Sequence, residues 1–222
     1  MINETIVEAF KFYYKATALK EMLRQGAIKW NVSKERIESV AEHTFGCMIL
    51  AIALHSQLKI DINLADVLEM LTIHELEEIA IGDITPTCKT DTYTNIAKAK
   101  QFVKEITENL EIQERLISLT NDFNNKISME AKFAYAIDKL ECVLEFNKYQ
   151  KFNMVSLDNV TNEMLENEQF KKLYEQGKYD VADIFFLFHK NAYEPFGINY
   201  DFWKKNLKNL EIDNLYKPYT YN

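Results

Sequence analysis

Turn-forming residues are scarce: the 222-residue chain has five glycines and three prolines, well below a usual combined share of roughly 12%. A β-sandwich or a Rossmann-type sheet needs a turn signal about every ten residues, and this sequence does not supply them. Disordered, linker-like and collagen-like classes fall with it, because 47% of the residues are hydrophobic and that is ample for a core. What is left is a single, mostly helical domain over residues 1–222, a length that suits one large domain.

Other absences narrow the partners. Twenty-six Lys and Arg against 34 Asp and Glu give a net charge of −8, and there is no basic run. Such a chain is poorly suited to a nucleic-acid polymer, where affinity comes largely from neutralised phosphates; a small phosphorylated ligand remains open if a metal or a few local cations offset the field. No apolar run approaches the roughly 20 residues of a membrane span. The N-terminal Met1-Ile2-Asn3-Glu4-Thr5 lacks the basic stretch and apolar core of a signal peptide. Cys47, Cys88 and Cys142 are odd in number and form no CxxC, as expected of buried, reduced thiols. These features together predict a cytoplasmic protein.

Helical periodicity is what the chain has in abundance. Helices are expected over Glu4–Leu23, with Gly26 as a C-cap, and over Val40–Leu58, started by Ser39. Another runs over Leu64–Ile81, capped by Asn63 and ended by Gly82. Further helices are expected over Asn95–Leu110, Ile112–Asn124, Ser128–Phe152, Asn159–Gln176 and from Asp180 through Asn191. The last twenty-odd residues read as a short helix and an ordered tail. Their aromatics, Tyr193, Phe196, Tyr200, Phe202 and Trp203, suit either core cover or a dimer surface, and core cover is the expectation.

Four histidines are few enough to weigh singly. His74 lies in Ile73-His74-Glu75-Leu76-Glu77-Glu78; on a helix His74 and Glu78 share a face, and Glu75 reaches in from the adjacent edge. An imidazole beside a carboxylate offers a metal two ligand types, and Glu78 could hold a water or a proton; a solvated acidic face is the bland alternative. His43 stands in the first turn of an apolar helix, where a hydrogen-bonded core histidine is the ordinary role. Asp138 interrupts an apolar stripe with residues 134, 137, 141 and 144. A carboxylate there needs a partner: a metal ion or an arginine, since Lys139 cannot easily reach back to its neighbour on a helix. His55 lies about 120° round its helix from His43, and His189, in an aromatic run, reads as structural. Lys29, Lys89 and Lys139 are possible phosphate contacts, each ordinarily just solvated. His43, His74, Glu75 and Asp138 could converge from three helices in a bundle core.

Three stretches carry a resemblance: Glu38-Ser39-Val40-Ala41-Glu42-His43, then His74-Glu75 through Glu78, Gly82 and Asp83 to Pro86, then Ala131 through Asp138 to Leu140. The chain resembles the HD-domain metal-dependent phosphohydrolases over about residues 15–152, within them the 5′-deoxynucleotidase-like branch, which adds the spacing from Glu78 to Asp83. The resemblance implies an all-α bundle of the HD type with a C-terminal extension over 153–222. It implies His43, His74, Glu75 and Asp138 as ligands of one divalent metal ion (Mn, Co, Fe, Zn or Mg), and Glu78 and Asp83 as the residues handling water and substrate. Arg24 would lie near the phosphate and Trp30 near the sugar. Two departures are visible: Glu75 stands where the signature has aspartate, and Ala27 stands where many relatives have tryptophan.

The implied activity is release of phosphate from deoxynucleoside 5′-monophosphates, with a small-molecule nucleotide as partner and a homodimer as the assembly. Two alternatives stay open: hydrolysis of another phosphorylated nucleotide, and a non-catalytic metal- or nucleotide-binding protein marked by Glu75.

Overall fold

The computed structural model describes residues 2–87, 92–177 and 179–212, and these contain helices and no β-strand. In order they are α1 Ile2–Ala16, α2 Gln25–Lys29, α3 Val40–Leu58, α4 Leu64–Ile73, α5 Glu78–Ile81, α6 Thr92–Ile106, α7 Gln113–Asn125 and α8 Met129–Lys151. The later helices are shorter: α9 Asn162–Leu165, α10 Glu168–Glu175, α11 Val181–Phe188, α12 Lys190–Tyr193 and α13 Tyr200–Phe202, which runs on into one wider turn to Leu207. The expected all-α fold is what the chain adopts. Lys89 and Cys88 lie outside the described residues.

Capping explains why α3 begins where it does. The Ser39 hydroxyl accepts from the Glu42 N–H while the Glu42 carboxylate accepts from the Ser39 N–H, a reciprocal pair that satisfies two orphan donors. Asn63 caps α4 and Ser128 caps α8 through their side chains. Helices α3, α4, α7 and α8 pack around one core that includes Val40, Cys47, Val67, Leu71, Ile137 and Val143.

Several expected boundaries are wrong, each for a tertiary reason. The first helix gives way at Thr17 to a 3-10 turn that runs to Glu21, and the helical course ends there because residues 22–24 must extend: Met22 C=O accepts from Val40 N at 2.7 Å and Arg24 N donates to Glu38 C=O at 3.1 Å. Gly26 is not a C-cap but lies inside α2. The single helix over 64–81 is two; α4 ends at Ile73, and residues 74–77 turn through tight bonds from Leu76 N to Ile73 O and from Glu78 N to Glu75 O, both 3.0 Å. The region 159–176 is a short turn followed by α9 and α10, each started by its own side-chain cap at Thr161 and Asn167.

A second core forms away from the first. It joins Ala27, Trp30, Val32 and Ile37, which precede α3, to Phe146 and Tyr149 of α8 and to Met164, Phe170 and Ile184 from the C-terminal third. Tyr193, Phe196 and Trp203 are buried in the first core, as core cover requires, while Phe202 is exposed. The Asp183 carboxylate accepts from Trp203 Nε1 at 2.9 Å and pairs with Lys208, fastening residues 203–208 onto α11. Among the described residues no helix is long and apolar enough to cross a membrane.

Candidate metal centre

The break after Ile73 delivers two adjacent residues to one point. His74 caps α4, and its Nδ1 lies 2.8 Å from Leu71 O. A carbonyl only accepts, so Nδ1 carries the proton and Nε2 turns its lone pair inward. Buried His74 Nε2 has no hydrogen-bond partner. His43, from the first turn of α3, is held in the same manner: its Nδ1 sits 2.5 Å from Glu141 Oε2, one turn along α8 from Asp138. Gly46 makes room for that carboxylate, since a Cβ there would stand 2.5 Å from Glu141 Oε1.

Two carboxylate oxygens face the two inward nitrogens. His43 Nε2 is 3.2 Å from Asp138 Oδ1 and 3.5 Å from Glu75 Oε1; His74 Nε2 is 3.4 Å from Glu75 Oε1 and 4.0 Å from Asp138 Oδ1. Ligand atoms bound at about 2.0–2.2 Å to one ion stand about 3–3.6 Å apart. His43 Nε2 is within hydrogen-bond distance of Asp138, whereas the His74 Nε2 lone pair faces Glu75 with no proton between them, an arrangement that a cation relieves. The donor set and the orphaned His74 nitrogen therefore fit a divalent ion.

His43, Cys47, His74 and Asp138 form a group whose ligand atoms all lie within 4.8 Å of one another, with Cys47 in it and not Glu75. Cys47 Sγ is 3.5 Å from His43 Nε2 but 3.9 Å from Nδ1 as well, which places it over the ring rather than in the plane of the lone pair. Burial pushes its thiol up to about 12, and Cys47 packs against the His43 ring at the edge of this group.

Glu75 is the hub on the other side. Its Oε1 accepts from Arg24 Nη1 at 3.2 Å, and Arg24 also lies 3.6 Å from Asp83 Oδ1. Burial works against the Glu75 charge, but the Arg24 guanidinium beside it helps hold the carboxyl well below the usual range. Asp83, past the turn at Gly82 (φ 82°), accepts from Gln25 N–H at 2.7 Å. Glu78, with buried Oε2 lacking a partner, is pushed up to about 11 by burial and then by Glu75 and Asp83. Lys139 corrects another expectation: it does reach back, Nζ lying 2.7 Å from Asp138 Oδ2, because its long stem curls along the helix surface beside its neighbour.

One pocket opens from this centre. Arg24, Glu75, Glu78, Asp83, Asp138 and Lys139 line its polar end. Its other end is aromatic, with Trp30, Phe146, Phe170, Phe185 and Phe188. Trp30 is 2% exposed and lies 6.1–6.4 Å from the rings of Phe146, Phe170 and Phe185; it stands inside the wall and supports it. Lys29, at the rim, donates to Thr85 Oγ1 at 3.1 Å and pairs with Glu163 at 2.9 Å. His189, read from the sequence as structural, lines the pocket as well. Glu141 and His189 were not among the expected site residues. Only Glu141 had a readable signal, its position one turn beyond Asp138 on the same stripe.

Comparison with known proteins agrees with this architecture. The chain is 25% identical over 134 residues to the 5′-deoxynucleotidase HDDC2 of Bos taurus, covering 60% of this chain and 63% of that protein, just under two thirds of its length. It is 27% identical over 132 residues to the 5′-deoxynucleotidase hdd1 of Schizosaccharomyces pombe, covering 54% and 62%. A predicted metal-dependent phosphohydrolase of Magnetospirillum magnetotacticum MS-1 shares the fold with a TM-score of 0.58 at 18% identity, over 86% of this chain and 92% of that one. A Pyrococcus horikoshii OT3 protein does so with 0.55 at 18%, over 82% and 97%. The HD domain family model matches residues 16–176, and the chain belongs to that family.

Proposed function

We propose that the chain is a metal-dependent phosphohydrolase releasing phosphate from deoxynucleoside 5′-monophosphates. The observation that carries the reading is the pair of imidazoles anchored at Nδ1, whose Nε2 atoms meet Asp138 and Glu75 at the polar end of one pocket. The relatives named as 5′-deoxynucleotidases supply the substrate class.

His43, His74, Glu75 and Asp138 would hold the ion; when bound, it supplies a Lewis acid that polarises a phosphoryl oxygen and acidifies a water. Arg24 offers a planar, permanently charged fork to the phosphate. Glu75 and Asp83 fix its orientation at 3.2 and 3.6 Å. Glu78 carries a buried carboxyl oxygen with no partner among the described residues beside this point, so it is placed to orient the attacking water; burial, Glu75 and Asp83 keep its carboxyl protonated, and it would take a proton from that water only with a cation in the centre to offset them. Asp83, itself held by the Gln25 N–H, keeps both Arg24 and the 82–87 loop at the pocket edge. Trp30 would act on the sugar only through the wall it supports.

The same reading places the protein in the cytoplasm, which the free thiols of Cys47 and Cys142 support, and makes it a homodimer. Phe45, Ile49 and Ile52 form an exposed apolar face of α3 that suits a second copy.

The test is phosphate release from a panel of nucleoside mono- and triphosphates with added Mn²⁺, Co²⁺ or Mg²⁺. Deoxynucleoside monophosphates should be the preferred substrates, and Glu78→Gln should lower kcat by about 10²- to 10⁴-fold while metal stays bound. Stoichiometric metal with no phosphate released from any nucleotide would replace this reading with a non-catalytic binding protein.

A further inference from the structure

The family model ends at residue 176, yet the pocket does not. Its aromatic end is completed by α11 and the residue after it, so Phe185, Phe188 and His189 face a cavity whose metal end lies wholly within the matched segment. Helix α11 packs along α8, the helix that carries Asp138 and Lys139. The end of α11 is pinned, since Gln169 Nε2 donates to Phe188 O at 3.0 Å and His189 N donates to Phe186 O at 3.2 Å.

The His189 ring is half-buried against Phe188, with centroids 4.9 Å apart at 68°. Neither of its ring nitrogens has a hydrogen-bond partner among the described residues, and the ring lines the pocket, so both nitrogens are free for a bound molecule. A neutral imidazole presents one donor and one acceptor. Burial, then the charge of Lys139, pushes this ring down to about 4, so it is neutral near pH 7 and unsuited to pairing with a phosphate.

We propose that His189 contacts the uncharged part of the substrate, donating to or accepting from a sugar hydroxyl or the polar edge of a base whose ring lies against Phe188. This rests on the nucleotide reading above and adds a specificity-determining residue to it: the metal end handles the phosphate, and a segment beyond the family match selects what the phosphate is attached to.

The experiment uses the full chain loaded with Mn²⁺ and compares wild type, His189→Ala and His189→Gln, after thermal melting has shown that the variants fold. The probes are a deoxynucleoside, which cannot be turned over, its 5′-monophosphate, and inorganic phosphate. His189→Ala should weaken deoxynucleoside binding about three- to tenfold, the loss of about one hydrogen bond. It should raise KM for the monophosphate by a similar factor, leaving kcat and inhibition by inorganic phosphate unchanged. His189→Gln, which keeps a donor and an acceptor, should recover part of the loss. An abasic deoxyribose phosphate separates the sources: if its KM shifts equally, the contact is the sugar hydroxyl, and otherwise the base edge. Deoxynucleoside binding that is undetectable in wild type, or unchanged in His189→Ala, overturns the inference while leaving the hydrolase reading intact. Binding that weakens as expected in a protein that releases no phosphate supports the contact and overturns the hydrolase reading.

Discussion

The two ends of the pocket are held by different physics. At the metal end, position is enforced atom by atom: each inward nitrogen is set by a hydrogen bond on its far side, His74 by Leu71 O and His43 by Glu141. At the aromatic end, Trp30, Phe146, Phe170 and Phe185 hold one another by contact at 4.2–6.4 Å between ring centroids, with no hydrogen bond fixing any of these rings among the described residues. The first end should therefore fail on the change of one atom, and the second only on loss of volume. The comparison breaks if either end behaves like the other.

Asp138→Asn gives the largest expected effect. It keeps the volume and leaves Lys139 and His43 a polar neighbour, so the melting temperature should change far less than function does. Metal content should fall to background and phosphate release by on the order of a thousandfold or more. Elemental analysis beside an activity assay decides it; retained metal and turnover would remove Asp138 from the centre.

Trp30→Ala is the matching cut at the other end. A fully buried tryptophan removed from the second core should cost about 3–5 kcal/mol of stability, read by denaturant unfolding, with metal affinity within about twofold of wild type. A parallel collapse of metal affinity would mean that the two cores act as one cooperative unit.

Gly46→Ala is subtler, for it touches no ligand. The new Cβ would stand 2.5 Å from Glu141 Oε1 and must push that carboxylate off His43 Nδ1. Loss of such a supporting contact typically costs about 10- to 100-fold in metal affinity, measurable by competition with a chelating dye. An unchanged affinity would show that packing against Cys47 alone orients His43.

The same contrast explains how much was legible beforehand. The Ser39 and Asn63 caps, the stop at Gly82 and the run of α3 over Val40–Leu58 are local chemistry and could be read directly. So could the convergence of His43, His74, Glu75 and Asp138, because their stretches carry a recognisable pattern. The break after Ile73 could not, since it exchanges regular helix bonds for a bond from His74 Nδ1 to Leu71 O that only the folded site rewards. The end of the first helical stretch at Glu21 is hidden for a like reason: its cause is pairing with residues 38–40, some sixteen positions further on. His189 reads as structural because a histidine among phenylalanines looks like core; only the course of α11 past the pocket shows that it also lines the cavity.

The smallest expected effect concerns pH and falls on His189, where the aromatic wall meets Lys139. His189 is pushed from the ordinary histidine value near 6.5 down to about 4, first by burial and then by Lys139. The unfolded chain thus binds a proton at this position between pH 6.5 and 4 that the folded chain refuses, so stability rises with pH across that window. The contribution is fully present above about 6.5 and is lost as pH falls through about 4. His189→Gln carries no titrating group, so the difference in melting temperature between wild type and this variant should be constant above pH 7 and move against wild type as the pH drops towards 4. The ring is only half-buried, so solvent screening keeps the shift to a few degrees at most. The metal end, whose own carboxylates protonate in acid, changes both proteins equally and cancels in the comparison. A pH-independent difference would mean that the His189 ring is as well solvated as in the unfolded chain, and it would bring the wall of the pocket closer to open surface than to core.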